Sequence, residues 1–147
     1  MTERTVYESV AHGRILTATV DQTVYEAACR MTEANCGSIV VVDGNGAMVG
    51  IVTERDLMTK VVAKALDPAK ALVAEIMTKN PRFVMADTSV SEAVMMMKEG
   101  GFRHLPILST SYKLIGVFSI RDATPRELRE ADRRAEMLEL VSESVGY

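Results

Sequence analysis

Apolar positions along the chain follow two periods. Val24, Ala27, Ala28 and Met31 fall at i, i+3, i+4 and i+7, the spacing of one buried helical face. Ile15–Val20 and Ile39–Val42 are instead short apolar runs rich in β-branched residues. They predict strands, the second buried on both faces. Asp43-Gly44-Asn45-Gly46 is turn chemistry, because Gly and Asn accept positive φ, and Met48–Val52 returns as the hairpin partner. Thr23-Val24-Tyr25-Glu26 has the spacing of a capping box, with Thr23 capping and Glu26 reaching back. Thr53 opens a second helix, expected to run to about Leu66. Asp67-Pro68 breaks it, and Ala71–Met77 reads as a short helical linker.

The plan then repeats. Phe83–Ala86 is a strand, Ser89-Val90-Ser91-Glu92 a second capping box, and Val90, Ala93, Val94 and Met97 a second buried stripe. Leu105–Leu108 with Lys113–Phe118 makes a second hairpin. Gly50-Ile51-Val52-Thr53-Glu54-Arg55-Asp56 recurs as Gly116-Val117-Phe118-Ser119-Ile120-Arg121-Asp122, 66 positions on, and the same shift carries Asp21 onto Asp87 and Glu26 onto Glu92 without a gap. Two like units of strand, helix, strand, strand, helix follow, in an α/β (α+β) fold. With no Gly/Ser-rich spacer between them, they are expected to pack together. Helical spacing turns only part of Met95-Met96-Met97 inward, as soft core filling.

The end of the chain has no counterpart in the first unit. Thr124-Pro125 is a helix start, and a charged helix is expected from there to about Val145. Leu128, Ala131, Ala135, Leu138 and Val145 form a narrow apolar seam on it. Two readings stand: the seam lies back on its own domain, or it contributes to a dimer interface.

At 147 residues, 48% hydrophobic and 25% charged, the chain has the composition of an ordinary globule. A net charge of −3 argues against a generic nucleic-acid surface. Arg126, Arg129, Arg133 and Arg134 do cluster, but interleaved with Glu127, Glu130, Asp132 and Glu136, as on a solvated helix face. Cys29 and Cys36 have neither CxxC spacing nor a nearby His, and read as reduced core thiols. The start, Met1-Thr2-Glu3-Arg4-Thr5, lacks the features of a signal peptide, and no apolar run approaches a bilayer span. A cytoplasmic location and no membrane partner are therefore expected.

The repeated Gly-x-x-Thr/Ser-x-x-Asp carries the candidate chemistry. Gly permits close backbone approach, and the hydroxyl sits where a helix N-terminus favours anions. Asp56 and Asp122 can accept two hydrogen bonds from a vicinal diol, as on a ribose, while Arg55 and Arg121 supply charge for phosphate. Thr53 with Asp56, and Ser119 with Asp122, are equally ordinary capping pairs that need no ligand. Nothing here is a Ser-His-Asp set, a metal-ligand spacing or a Walker loop, and the chain has only two His residues, His12 and His104.

Taken in order, Gly50–Asp56, Ile76-Met77-Thr78-Lys79-Asn80-Pro81, Asp87–Ala93, Arg103-His104-Leu105-Pro106-Ile107 and Gly116–Asp122 resemble the motifs of a pair of CBS domains, the tandem called a Bateman module. The resemblance puts repeats at 6–66 and 78–124, a linker at 67–77 and a C-terminal helix at 125–147. It implies βαββα repeats packed through their sheets about a pseudo-two-fold axis, with clefts for AMP, ADP or ATP. S-adenosylmethionine or NAD, or a structural dimer without ligand, are the alternatives. Residue by residue, it implies that Asp56 and Asp122 hold ribose hydroxyls. Thr53 and Ser119 would contact ribose or phosphate, with Arg55 and Arg121 nearby, and backbone at Thr17-Ala18 and Phe83-Val84 would read the adenine edge. Arg103 and His104 would face phosphates, with Pro106 beside them; for His104 the other reading is a packed helix-exit histidine. The same shift maps Arg103-His104 onto Gly37-Ser38; if phosphates are gripped from the opposite repeat, the site whose ribose is held by Asp56 receives Arg103 and His104, so unequal sites are expected, the Asp56 site being the tighter for charged nucleotides. The implied protein is a regulatory module rather than an enzyme, with no required cofactor. It would be a homodimer acting on an unidentified regulated protein.

Overall fold

The computed structural model describes residues 3–10 and 15–144; His12 and Val145, named above, lie outside them. Among the described residues there are two compact units, one of residues 15–82 and one of residues 3–10 with 83–144. Residues 6–10, counted with the first repeat on sequence, thus belong to the unit that holds the second. Among the described residues no helix is long and apolar enough to cross a membrane.

The chain enters through a single-turn helix, α1 (Val6–Ser9), which belongs to the second unit. The first unit then runs β1 (Thr17–Thr19), α2 (Val24–Ala34), β2 (Ser38–Val42), β3 (Met48–Thr53), α3 (Glu54–Asp56), α4 (Val73–Ile76) and β4 (Thr78–Lys79). Helix α3 widens into a π turn over Leu57–Val62 and stops there, short of the expected Leu66. The sheet order is β1-β2-β3-β4, with β1 parallel to β2 and the other pairs antiparallel. Ile39, Val40 and Val41 are fully buried, as their unbroken apolar run requires. Thr23 caps α2 by accepting from the Glu26 amide at 3.1 Å. Glu26 does not complete the box, because its carboxylate accepts from the Gln22 side-chain amide instead. Helix α2 buries Val24, Ala27 and Met31 and ends at Asn35 in the left-handed region, φ 52°. Cys29 on this helix is half-buried and Cys36 beyond its end is exposed, neither in a disulfide. The expectation of core thiols fails at Cys36, which lies past the end of the buried helical face.

The second unit continues with β5 (Val84–Met85), α5 (Val90–Gly100), β6 (His104–Leu108) and β7 (Leu114–Ser119), then a 3₁₀ turn at Ile120–Asp122 and α6 (Pro125–Ser144). Among the described residues its sheet, β5-β6-β7, has three strands and no counterpart of β4. The echo survives in fine detail: each hairpin carries an irregularity at the same place, between Val41 and Val42 and between Ile107 and Leu108. Phe118, Met97, Leu105 and Ile107 fill the core. Val6 joins them, its segment tied down by Val6 N–H donating to the Thr88 carbonyl and Val90 N–H to the Arg4 carbonyl, at 2.8 and 3.0 Å. Helix α6 starts at Pro125 as its sequence predicts. Its first half lies on this unit, with Ala131 fully buried and Leu128 against the core. Its second half does not: Met137, Leu138 and Leu140 are exposed.

Candidate functional site

Both copies of the repeated motif sit where a central strand ends and turns into a helical segment, β3 into α3 and β7 into the 3₁₀ turn. The backbone makes the same contact at each. Glu54 N–H donates to the Gly37 carbonyl, and Ile120 N–H to the Arg103 carbonyl, both at 3.0 Å. The carboxylate then folds back on the strand end, Asp56 Oδ2 accepting from Thr53 N–H at 3.0 Å and Asp122 Oδ2 from Ser119 N–H at 2.8 Å. The capping geometry that the sequence left open is present in both copies.

Beyond this the copies differ. Asp56 is buried and its Oδ2 also accepts the Thr53 hydroxyl at 3.1 Å. Its Oδ1 takes an ion pair from Lys60 at 3.0 Å and the Thr78 hydroxyl at 3.4 Å. Lys60 is further held by the Ile76 carbonyl at 3.1 Å. Asp122 is half-buried. Beyond the Ser119 amide, no other donor reaches its carboxylate among the described residues.

The remaining expected site residues divide between the units. In the first, Thr17 and Ala18 pair with Val40 and Val41. Ala18 is buried and the Thr17 carbonyl already accepts from Arg30. Arg55 is exposed on α3. In the second, Val84 is buried, while Phe83 is exposed and meets Tyr112 edge-to-face with ring centroids 6.3 Å apart. Pro106 is buried opposite Val117, a packing position. The short β5 pairs only with Ile107 and Leu108, so the proline's missing N–H breaks no ladder bond there. His104 stands opposite Ser119 across β6 and β7. Arg103, His104, Ser119, Arg121 and Asp122 therefore gather at one end of one sheet. The equivalent pair in the first unit is Ser38 opposite Thr53.

Three residues at these sites were not anticipated. Lys60 had a sequence signal, since it stands four residues after Asp56, the spacing of a helical ion pair. Thr78 lay within the Ile76–Pro81 segment of the resemblance, but nothing there marked it as a partner of Asp56, and Arg4 had no signal. Arg4 donates from Nη2 to the Asp122 carbonyl at 2.7 Å and grips Glu127 on the first turn of α6 through Nη2 at 2.7 Å and Nε at 3.1 Å. Burial pushes the Glu127 carboxyl up, but the Arg4 hydrogen bond, the Thr124 amide and hydroxyl, and the Arg4 charge together hold it below the usual range. On the exposed side of α6, Glu130 pairs with both Arg133 and Arg134, so much of the basic cluster is neutralised locally.

The family model for the CBS domain matches residues 8–63 and 73–125. The chain is similar to an uncharacterized 17.7 kDa protein of Acidianus ambivalens, 39% identical over 118 residues, covering 80% of this chain and 70% of that one. It is also similar to the CBS domain-containing protein CBSCBSPB1 of Arabidopsis thaliana, 32% identical over 97% of this chain, which spans only 26% of that relative's length. A CBS domain protein from Pyrobaculum aerophilum, solved in complex with AMP, shares the fold with a TM-score of 0.79 at 24% identity, over 88% of this chain and 99% of that one. With two segments matching one family model and together covering most of its length, the chain belongs to the CBS-domain family.

Proposed function

We propose that this chain is a regulatory module that binds an adenine nucleotide, AMP, ADP or ATP, and passes the event to a partner without turning the ligand over. The observation that carries the reading is a carboxylate fixed at a strand-to-helix junction, with hydroxyl and cationic neighbours on the same sheet end. Asp122 is the proposed acceptor for ribose hydroxyls, with Ser119 beside it. Arg103 and Arg121 supply positive charge for phosphate, with His104 beside them as a further hydrogen-bonding group. The AMP-bound relative from Pyrobaculum aerophilum adds support at the level of fold.

Transmission has a physical route within the second unit. The Asp122 carbonyl, the Arg4 guanidinium and the Glu127 carboxylate form one chain of charge-assisted contacts into α6. A ligand that shifts the Asp122 turn therefore pulls on α6, provided it binds two states of that turn unequally. The exposed second half of α6 is the surface offered to a second copy.

Thermal-shift titration tests the reading. A nucleotide at 100 times its dissociation constant should stabilise the chain by about 2.7 kcal/mol. Absence of any shift with AMP, ADP and ATP, in conditions where the chain unfolds cooperatively, rules the nucleotide reading out.

A further inference from the structure

We propose that Asp122 is the one ribose acceptor of this chain, and that the Asp56 copy of the motif is closed by its own unit. The inference rests on the nucleotide reading above and says which copy carries it. An ionised carboxylate offers about four lone-pair positions. At Asp56 four donors take them: Thr53 N–H at 3.0 Å and its hydroxyl at 3.1 Å on Oδ2, Lys60 at 3.0 Å and Thr78 at 3.4 Å on Oδ1. A vicinal diol brings two O–H donors and would have to displace both Lys60 and Thr78. It would also break an ion pair whose carboxylate side chain is only 10% exposed, and such a break is costly when the charge left behind stays buried.

Asp122 has the opposite balance. Among the described residues it receives one protein donor, the Ser119 amide at 2.8 Å, which leaves about three acceptor positions for a ligand. The cause lies in the chain around it. After Asp122 the backbone turns extended at Ala123, φ −82° and ψ 141°, and α6 begins afresh at Pro125. Arg126, four residues on, is exposed and forms no ion pair with Asp122 among the described residues. The three-stranded sheet also lacks the strand that delivers Thr78 to Asp56.

Calorimetric titration of the full chain with AMP tests the assignment. One AMP per chain is expected. Asp122→Asn should weaken binding ten- to a hundredfold, the scale of losing a charged hydrogen bond. Asp56→Asn should change affinity less than threefold. Because Asp56 is a buried cap whose loss can unfold the unit, Lys60→Met serves as the second variant and should also leave affinity within threefold. Two AMP per chain, retained binding in Asp122→Asn, or a larger change in Asp56→Asn or Lys60→Met overturns the assignment while leaving nucleotide binding intact. No heat from the unaltered chain with AMP overturns both.

Discussion

Gly50 and Gly116 are the same residue of the repeated motif, yet the structure makes them respond oppositely to one methyl group. A Cβ built on Gly50 would meet Met77 Sδ at 2.5 Å, Met77 Cγ at 2.8 Å and the Thr78 carbonyl oxygen at 3.0 Å. Carbon contacts relax near 3.5–4.0 Å, so the sulfur must retreat by about 1 Å and the carbonyl by a few tenths. Met77 can move, being long and unbranched. The carbonyl moves less easily, because β4 is paired with β3 at Gly50↔Lys79 and Ile51↔Thr78. At Gly116 the nearest atoms are Ile107 Cδ1 and Val10 Cγ2, both at 3.5 Å, which is ordinary contact. Neither glycine has positive φ, so alanine is conformationally allowed at both.

Gly50→Ala should therefore cost about 1–3 kcal/mol, the usual range for overpacking. Gly116→Ala should be neutral or stabilising by about 0.4–1 kcal/mol, since it removes unfolded-state freedom. Urea unfolding followed by far-UV circular dichroism suits a chain without Trp. Hydrogen exchange at the β3 amides gives the local reading if the two units unfold separately. A Gly50→Ala chain as stable as the parent, or a Gly116→Ala chain less stable than Gly50→Ala, refutes the argument that β4 is what demands glycine.

Two further outcomes follow from the second unit. Arg4→Ala removes a two-pronged grip on Glu127, whose side chain is 17% exposed, but Arg4 is itself 35% exposed. After that screening the loss should be about 1–2 kcal/mol at pH 7. The folded pKa of Glu127 is depressed. Its contribution is thus full above the unfolded carboxylate value of about 4.3 and vanishes as pH falls through the folded one. Urea midpoints of parent and Arg4→Ala should accordingly draw together as pH falls below about 4.3, the Asp122 carbonyl contact of Arg4 leaving a pH-independent remainder; a gap that does not narrow with acidification would show that the Glu127 pair is not its source. Leu138→Glu, at a position 58% exposed, should leave stability within about 0.5 kcal/mol. If the second half of α6 seats a second copy, light scattering should show the oligomer falling to monomer. An unchanged mass removes α6 from the interface.

Most of the fold was legible because its signals are local. The apolar stripe of α2, the turn at Asp43–Gly46, the hydroxyl caps and the helix start at Thr124-Pro125 each act over a few residues. Their 66-residue echo fixed the architecture. Where the reading failed, the cause was a competing or distant partner. Gln22 took the Glu26 carboxylate and kept the box from closing on both sides. Val6 carried no sign that it would be buried in the second unit. The second copy was read as a full repeat of strand, helix, strand, strand, helix. Its last element is instead a three-residue 3₁₀ turn, because Thr124-Pro125 starts a new helix two residues after Asp122.

The two motifs diverge chiefly through β4, a strand of two residues. Thr78 supplies the carbonyl that crowds Gly50 and the hydroxyl that reaches Asp56, and Lys60 reaches the Ile76 carbonyl just before it. A glycine that looked like room for a ligand is, in the first unit, room for the chain's own strand. The aspartate that looked like a ribose acceptor takes one of its donors from that strand and the others from Thr53 and Lys60. Sequence identity between the copies records the strand-to-helix junction, which both units need in order to fold. Whether the junction is also a site depends on how many of the carboxylate's lone pairs the fold itself consumes, four at Asp56 and one at Asp122 among the described residues. That difference belongs to contacts reached 22 residues away and four residues along a helix, and the motif alone contains neither.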